Sequence, residues 1–156
     1  MFHNRNKQIF GKRFRKHRSW DLFFFLAQDI SADLRAFLKY NINSVPYSFI
    51  KDNKLSDRDD NNLKLWHETV KKMWWSFEQI ANGEPDNPYN IAWNKYWKKY
   101  GQYMSVNDFT EEKDGHTYYK SDDRFIPPPK EEMMAYEDKI KEGLYLFAEY
   151  YRDLWD

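Results

Sequence analysis

The densest mixture of aromatic rings and cations in the chain is Trp93–Tyr100, with the sequence WNKYWKKY, and a second mixture, KKMWW, lies at Lys71–Trp75. Aromatic rings stack on the flat faces of bases, and lysines neutralise phosphate. These residue types together therefore predict a site for a small anionic, nucleotide-like ligand. The predicted ligand-binding residues are Trp74, Trp75, Trp93, Trp97, Lys71, Lys72, Lys98 and Lys99.

The same two clusters also have a purely structural explanation. Aromatic residues at helical spacing usually pack in a core, and lysines beside them lay their aliphatic stems along apolar surface. The sequence alone leaves both explanations open for each named residue.

Metal chemistry has little support in the sequence. The four histidines are His3, His17, His67 and His116, and no two of them have the spacing of a helical metal site. There is no cysteine, which excludes thiolate metal sites and cysteine nucleophiles. The acids between Asp57 and Glu68 have the spacing of a calcium loop, but Asn62 replaces the turn glycine and helix capping explains them. We predict no metal ion and no cofactor.

Catalysis is also the weaker hypothesis. Asp29 and Asp33 are four residues apart on a predicted helix and could pair as acid and base, but a solvated helix face with Arg35 nearby explains them. The five glycines form no phosphate loop, nucleophile elbow or dinucleotide fingerprint. We predict no catalytic residues and a non-enzymatic protein.

The zero net charge hides an asymmetry along the chain. Residues 1–18 hold seven Lys/Arg and no acid, so the remainder holds 18 basic and 25 acidic residues. Such a basic arm suits phosphate-backbone contact or docking on the acidic remainder or a neighbouring subunit. We predict a basic arm at 1–18 followed by one helical domain at 19–156. The predicted anion or nucleic-acid contacts are Arg13, Arg15, Lys16 and Arg18.

Hydrophobic periodicity predicts a mainly α fold, an aromatic-rich bundle of about four helices with an irregular excursion at residues 102–128. The helices are predicted from Trp20 to Tyr40, from Ser56 to Asn82, from Asn87 to Gly101, and after Pro127–Pro129. Residues 41–55 are predicted to be a loop. The predicted buried faces are Phe23, Ala27, Ile30, Leu34, Phe37 and Leu38; Leu63, Trp66, Val70, Met73, Phe77 and Ile80; Tyr89, Trp93, Tyr96 and Tyr100; and Met133, Tyr136, Ile140, Leu144, Phe147, Tyr151 and Leu154.

Three large apolar residues are predicted to lie away from these buried faces. At about 100° per residue, Trp74 lies about 80° from Trp66, whereas Trp75 lies about 180° from it. Phe25 and Leu146 are placed opposite the stripes of their helices in the same way. Surplus apolar surface on three helices favours a second contact. We predict an interface at Phe25, Trp75 and Leu146 and a homo-oligomer.

Three passages resemble a group of small tailed-phage proteins. They are Trp20-Asp21 with the helix that follows, Met73-x-x-x-Phe77-Glu78, and above all the GLxLFAxYYxxLWD ending at 143–156. The resemblance leaves the basic arm and residues 102–128 unmatched, and the family has no assigned catalytic residues to transfer.

That resemblance implies a phage origin and action in the host cytoplasm. It suggests a counter-defence protein that sequesters a nucleotide-like immune signal of the bacterial host. The alternatives are a protein–protein interaction or virion-associated structural protein, and a nucleic-acid binder that uses the basic arm. The longest apolar run, LFFFLA at Leu22–Ala27, is far shorter than the ~20 residues of a membrane span, so we predict no membrane partner.

Overall fold

The computed structural model describes residues 21–40, 43–56, 61–120 and 122–154. Within these ranges the chain is mainly helical, as predicted. The helices are α1 (Leu22–Tyr40), α2 (Tyr47–Asp52), α3 (Asn62–Ala81), α4 (Pro88–Tyr100) and α5 (Lys130–Tyr150). Strands β1 (Thr110–Lys113) and β2 (His116–Tyr119) form an antiparallel hairpin, and short 3₁₀ segments lie at Gly101–Tyr103, Val106–Phe109 and Tyr151–Asp153.

The chain divides into two compact units. Among the described residues, the first comprises those up to Gly83 together with those from Ile140 to Leu154, and the second comprises those from Glu84 to Lys139. Helix α5 contributes its second half to the first unit and its first half to the second. The basic arm at 1–18, with Arg13, Arg15, Lys16 and Arg18, lies outside the described residues. The assignment of 19–156 to one domain stays a prediction.

The core of the first unit is built around three aromatic rings. Trp66 on α3 lies 5.1 Å from Phe49 and 5.7 Å from Tyr150 between ring centroids, and Phe49 lies 5.6 Å from Tyr150. These tilted and edge-to-face contacts are the favoured arrangements of aromatic pairs. The fully buried Val70 and Met73 extend the same face of α3. The prediction of an aromatic core is confirmed.

The loop predicted at 41–55 is wrong in part, because it contains α2. Pro46 precedes the helix, and Phe49 is buried against Trp66 and Tyr150. Burial of Phe49, with Val45 and Leu55 packed against the same core, orders this short helix, although six residues have little helical tendency of their own. A helix of six residues is too short for hydrophobic periodicity to indicate it.

Four predicted core positions on α1, α3 and α4 are also wrong. Phe23 is 69% exposed, Leu63 is 40% exposed, Tyr89 is 43% exposed and Trp93 is 37% exposed. The face that α1 buries is instead centred on Ala27, Ser31 and Leu34. Small side chains allow closer approach of two helices, and the hydroxyl of Ser31 donates a hydrogen bond to Glu78 on α3. A polar residue therefore occupies a position that hydrophobicity alone would not assign to a core.

Leu146 was predicted to lie opposite the buried face of α5, and this is wrong. Its side chain is half-buried and packs against the core of the first unit. The buried face follows Ile140, Gly143 and Tyr150, whereas Tyr151 is 56% exposed. The buried face of α5 is therefore rotated about the helix axis, toward Leu146, relative to the predicted buried face.

The other off-face residues have intermediate burial. Trp74 packs against the core, as its angle predicted. Phe25 is half-buried and makes an edge contact with Phe24 at 5.9 Å, and Trp75 is half-buried. The interface at Phe25 and Trp75 and the homo-oligomer stay predictions.

Gly143 lets α5 approach α3 closely. A Cβ at this buried position would overlap Ser76 Oγ and the carbonyl oxygen of Lys72. Beside it, Lys72 Nζ lies 2.6 Å from Glu142 Oε1. Because a backbone carbonyl cannot rotate away, the two helices would have to move apart to accept a methyl group.

We therefore expect Gly143→Ala to lower the free energy of unfolding by about 1–3 kcal/mol, the usual cost of overpacking. Urea unfolding followed by circular dichroism measures this change. In open space the same substitution would stabilise a helix by about 1 kcal/mol. A more stable Gly143→Ala variant would therefore contradict the close approach of α3 and α5.

Candidate functional site

Helix α4, which carries the WNKYWKKY cluster, begins where the sequence predicted. The side chain of Asn87 accepts a hydrogen bond from the backbone nitrogen of Tyr89 at 2.9 Å, and Pro88 occupies the first turn. Asn87 Nδ2 also donates to Glu84 Oε2 at 2.7 Å. The cap fixes the start of α4 and therefore which residues of the cluster share a face.

One side of α4 carries a row of near-parallel rings. The centroids of Tyr89 and Trp93 are 6.4 Å apart, those of Trp93 and Trp97 are 6.2 Å apart, and Phe109 follows Trp97 at 6.2 Å. Successive rings in this row face one another, so their facing sides are turned to a neighbour rather than to solvent. Insertion of a ligand ring between Trp93 and Trp97 would require the two indoles to separate. Their role in ligand binding stays a prediction.

Phe125 attaches the segment before α5 to α4. Its ring makes edge-to-face contacts with Trp93 at 5.3 Å, Tyr89 at 5.4 Å and Tyr96 at 5.6 Å. Three such contacts from one ring hold an irregular segment in place, since each aromatic pair contributes about 0.5–1.5 kcal/mol beyond burial. The chain on either side of Phe125 consequently runs along α4.

Asp122 ties the same segment to α4 through polar contacts. It accepts a hydrogen bond from the hydroxyl of Tyr96 at 2.5 Å and from Arg124 Nε at 2.9 Å and Nη2 at 2.5 Å. The backbone nitrogen of Arg124 also donates to Asp122 at 2.9 Å. The guanidinium lies 5.0 Å from the centroid of the Tyr100 ring. We call Tyr96, Tyr100, Asp122 and Arg124 the arginine clamp.

The clamp changes the acidity of its members. Hydrogen bonds from Arg124 and then from Tyr96 hold the pKa of Asp122 well below its usual range. The same pairing raises the pKa of Arg124. Burial, followed by the hydrogen bond to Asp122, raises the pKa of Tyr96. At neutral pH the clamp therefore contains an ionised carboxylate, a charged guanidinium and a neutral phenol.

A cleft of about 680 Å³ lies between α4 and this segment. One continuous face of α4, from Pro88 to Tyr100, forms one wall, and residues 124–129 form the opposite wall with Glu132 of α5. The opposite wall is largely apolar, because Phe125, Ile126 and three prolines supply it. We call this space the α4 cleft, and its volume is in the range of small-molecule sites.

Charged groups stand at different positions along the α4 cleft. Lys95 and Lys99 are four residues apart on α4 and both line it. In the described part of the chain, neither lysine has a carboxylate within ion-pair distance. Lys99 Nζ and the Arg124 guanidinium lie 4.9 Å and 5.0 Å from the centroid of the same Tyr100 ring. The end of the cleft at Tyr100 is therefore cationic.

The cleft walls run in opposite chain directions. Arg124 lies over Tyr100 at the end of α4, whereas Tyr136, after Glu132, lies near Glu84 and Asp86 before α4. Burial first, and then these two carboxylates, raise the pKa of Tyr136. Glu132, one helical turn before Tyr136, is consequently placed toward the Pro88 end. The cleft thus has cations at one end, apolar walls along its length and a carboxylate toward the other end.

The predicted ligand-binding residues do not converge on this cleft. Lys99 lines it, whereas Trp93 and Trp97 belong to the ring row and Lys98 is exposed elsewhere on α4. The other four lie on α3 in the first unit. There Lys71 Nζ is 3.0 Å from Glu68, Lys72 pairs with Glu142, and Arg35 lies 5.6 Å from the Trp74 ring. These contacts explain Trp74 by surface packing and Lys71 and Lys72 by ion pairs, without a ligand.

Sequence reasoning missed Lys95, Tyr96, Arg124 and Glu132 as site residues. Two signals were available: Lys95 and Lys99 have the spacing of neighbours on one helix face, and the three prolines predict an extended apolar wall. Nothing in the sequence indicates that Arg124 returns to lie on Tyr100, since the two are brought together only by folding.

A smaller cavity of about 270 Å³ lies between α1 and α3 of the first unit. Ser31 donates to Glu78 there, and Arg35 Nη2 lies 2.5 Å from Glu78 Oε1. The hydrogen bond from Ser31 is the largest influence lowering the pKa of Glu78. Ser31 and Arg35 are each bonded to Glu78, so this cluster joins two helices and offers less for a ligand than the α4 cleft.

Comparison of the chain with protein-family models, with curated proteins and with solved structures found no match. Over the described residues, no helix is long and apolar enough to cross a membrane. Within those same ranges, no group of three or more His, Asp or Glu side chains is arranged to hold a metal ion. The function of the α4 cleft is therefore inferred from the chemistry of its lining residues.

Titration of Asp122 tests the arginine clamp. Because the pKa of Asp122 is lower in the folded than in the unfolded chain, the pair stabilises the fold at neutral pH. This contribution is lost as the pH falls through the folded-state pKa. We expect Arg124→Gln to raise the pKa of Asp122 toward the ordinary value of about 3.9, as measured by carboxyl-carbon NMR.

Lys98→Gln, which removes an exposed cation of the same helix outside the cleft, is the matched control and should leave the titration of Asp122 unchanged. The free energy of unfolding should also fall less steeply with acidification in Arg124→Gln than in the unaltered protein. An unchanged Asp122 titration in Arg124→Gln would contradict the clamp.

Proposed function

We propose that the protein is a non-enzymatic binding protein that holds a small anionic, nucleotide-like ligand in the α4 cleft. One observation carries this proposal: Lys95 and Lys99 face an apolar wall without a carboxylate partner among the described residues. Unpaired cations beside an apolar wall match a ligand that combines an anion with a ring system.

The arginine clamp supports binding of an anion at the same end. A guanidinium has two hydrogen-bonding edges, and Asp122 occupies the edge formed by Nε and Nη2 of Arg124. The remaining edge suits an oxyanion such as phosphate. Since Tyr100 and Asp122 already hold the guanidinium, its ordering costs less when a ligand binds.

The biological setting follows from the resemblance to small tailed-phage proteins. A phage protein that binds a nucleotide-like immune signal tightly and does not turn it over would lower its free concentration in the host cytoplasm. Binding alone is sufficient for this role, which agrees with the lack of any predicted catalytic residue. We therefore propose counter-defence by sequestration as the function that the cleft serves.

Exposed apolar residues favour a second candidate function, contact with another protein. Tyr119 on β2 is 89% exposed and Tyr118 beside it is 47% exposed. The hairpin β1–β2 also has strand edges that could pair with another chain. A virion or host protein, or a second copy of this chain, is the corresponding partner. This binding would be independent of Lys95 and Lys99.

The proposed function is tested by calorimetry and tryptophan fluorescence with mononucleotides, cyclic dinucleotides and ADP-ribose derivatives. We expect saturable binding of at least one class and no change in the ligand by chromatography. The double variant Lys95→Gln, Lys99→Gln should weaken binding by about tenfold or more, because it removes two charge-assisted contacts. It should also flatten the dependence of affinity on salt.

Lys98→Gln is the matched control, since it removes an exposed cation of α4 that does not line the cleft. The pair Lys71→Gln, Lys72→Gln tests the site predicted on α3. No binding across the panel, or a loss that follows Lys71 and Lys72 instead of Lys95 and Lys99, would contradict the α4 cleft as the site. Conversion of a bound ligand would contradict a non-enzymatic role.

A further inference from the structure

Glu132 is an acidic residue in a cleft whose proposed ligand is an anion. Its side chain lines the α4 cleft, and its position one helical turn before Tyr136, which interacts with Glu84 and Asp86, places it toward the Pro88 end. In the described ranges, no cation lies within ion-pair distance of it. An unpaired carboxylate repels phosphate through space, so its presence in the cleft needs a reason other than attraction of the anion.

We infer that Glu132 recognises the base of the ligand and selects guanine. This inference rests on the proposed function, because it requires a nucleotide in the α4 cleft. Lys95, Lys99 and Arg124 receive the phosphate at one end, and Glu132 receives the base edge at the other. The ligand therefore lies along α4 with its sugar between the apolar walls.

The separation along α4 permits this arrangement. Lys95 lies seven residues after Pro88, which is about 10 Å along a helix at about 1.5 Å per residue. Phosphate and base edge occupy opposite ends of an extended mononucleotide, so one ligand can reach both groups. The wall of Ile126 and Pro127–Pro129 borders the space between them.

The hydrogen-bonding groups of each base determine which base Glu132 selects. An ionised carboxylate only accepts hydrogen bonds, through two oxygens side by side. The pairing edge of guanine offers two adjacent donors, N1–H and the N2 amine. Adenine and cytosine each place an acceptor beside their amine, and hypoxanthine has N1–H but no amine. A carboxylate therefore matches guanine through two hydrogen bonds and hypoxanthine through one.

The alternative to base recognition is a structural role for Glu132. Acidic residues in the first turn stabilise a helix through its dipole, and α5 has Glu131 and Glu132 there. Both occupy the same turn, but only Glu132 lines the cleft. Glu131→Gln is consequently the matched control, since it changes the helix end in the same way without altering the cleft.

The experiment compares GMP, IMP and AMP by calorimetry on the unaltered protein, on Glu132→Gln and on Glu131→Gln. We expect the unaltered protein to bind GMP about tenfold or more tightly than IMP, which corresponds to one charge-assisted hydrogen bond. Glu132→Gln should weaken GMP by about tenfold and bring the GMP-to-IMP ratio close to one. Glu131→Gln should retain the ratio of the unaltered protein.

Each other outcome overturns the inference in a distinguishable way. If Glu132 is only a negative charge near the phosphate, Glu132→Gln tightens all three nucleotides alike, and the proposed function stands without base selection. Equal binding of GMP and IMP by the unaltered protein leads to the same conclusion and needs no variant. Failure of every nucleotide to bind the unaltered protein overturns both this inference and the proposed function.

Discussion

The second unit depends on one carboxylate and one ring that attach an irregular segment to a helix. Asp122 accepts hydrogen bonds from Arg124 and from Tyr96 of α4, and Phe125 contacts three rings of the same helix. Without these contacts, residues 124–129 would have no fixed position, since they form no regular backbone ladder. The wall of the α4 cleft exists because this segment is held.

The same contacts explain how a charged group can stay in place at a surface cleft. An isolated surface ion pair contributes little to stability, because solvent screens it and both side chains lose freedom. Asp122 and Arg124 are instead close in sequence, and the Tyr96 hydroxyl and the Tyr100 ring restrict their geometry. The guanidinium is consequently positioned before any ligand arrives. This preorganisation supports the proposed anion site.

The first unit is held differently, through a core in which three large rings meet. Trp66, Phe49 and Tyr150 come from α3, α2 and α5 and meet at one point. Close approach of α3 and α5 at Gly143 brings the ion pair of Lys72 and Glu142 alongside. Lys71 pairs with Glu68 of its own helix, and Arg35 lies over the Trp74 ring. These contacts within the first unit explain Lys71, Lys72 and Trp74 without a ligand.

The sequence by itself determined the helices, because hydrophobic periodicity, the Asn87-Pro88 start and the proline run act locally along the chain. It also determined that rings and cations would alternate on α4. It did not predict α2, and it misplaced Phe23, Leu63, Tyr89, Trp93, Leu146 and Tyr151. The packing of a very short helix or a small rotation of a helix face leaves no periodic signal. Only the tertiary structure decided which cations are paired and which line a cleft. Arg124, Asp122 and Glu132 are distant in sequence from the α4 residues beside them, and spatial proximity of that kind arises from packing rather than from local pattern.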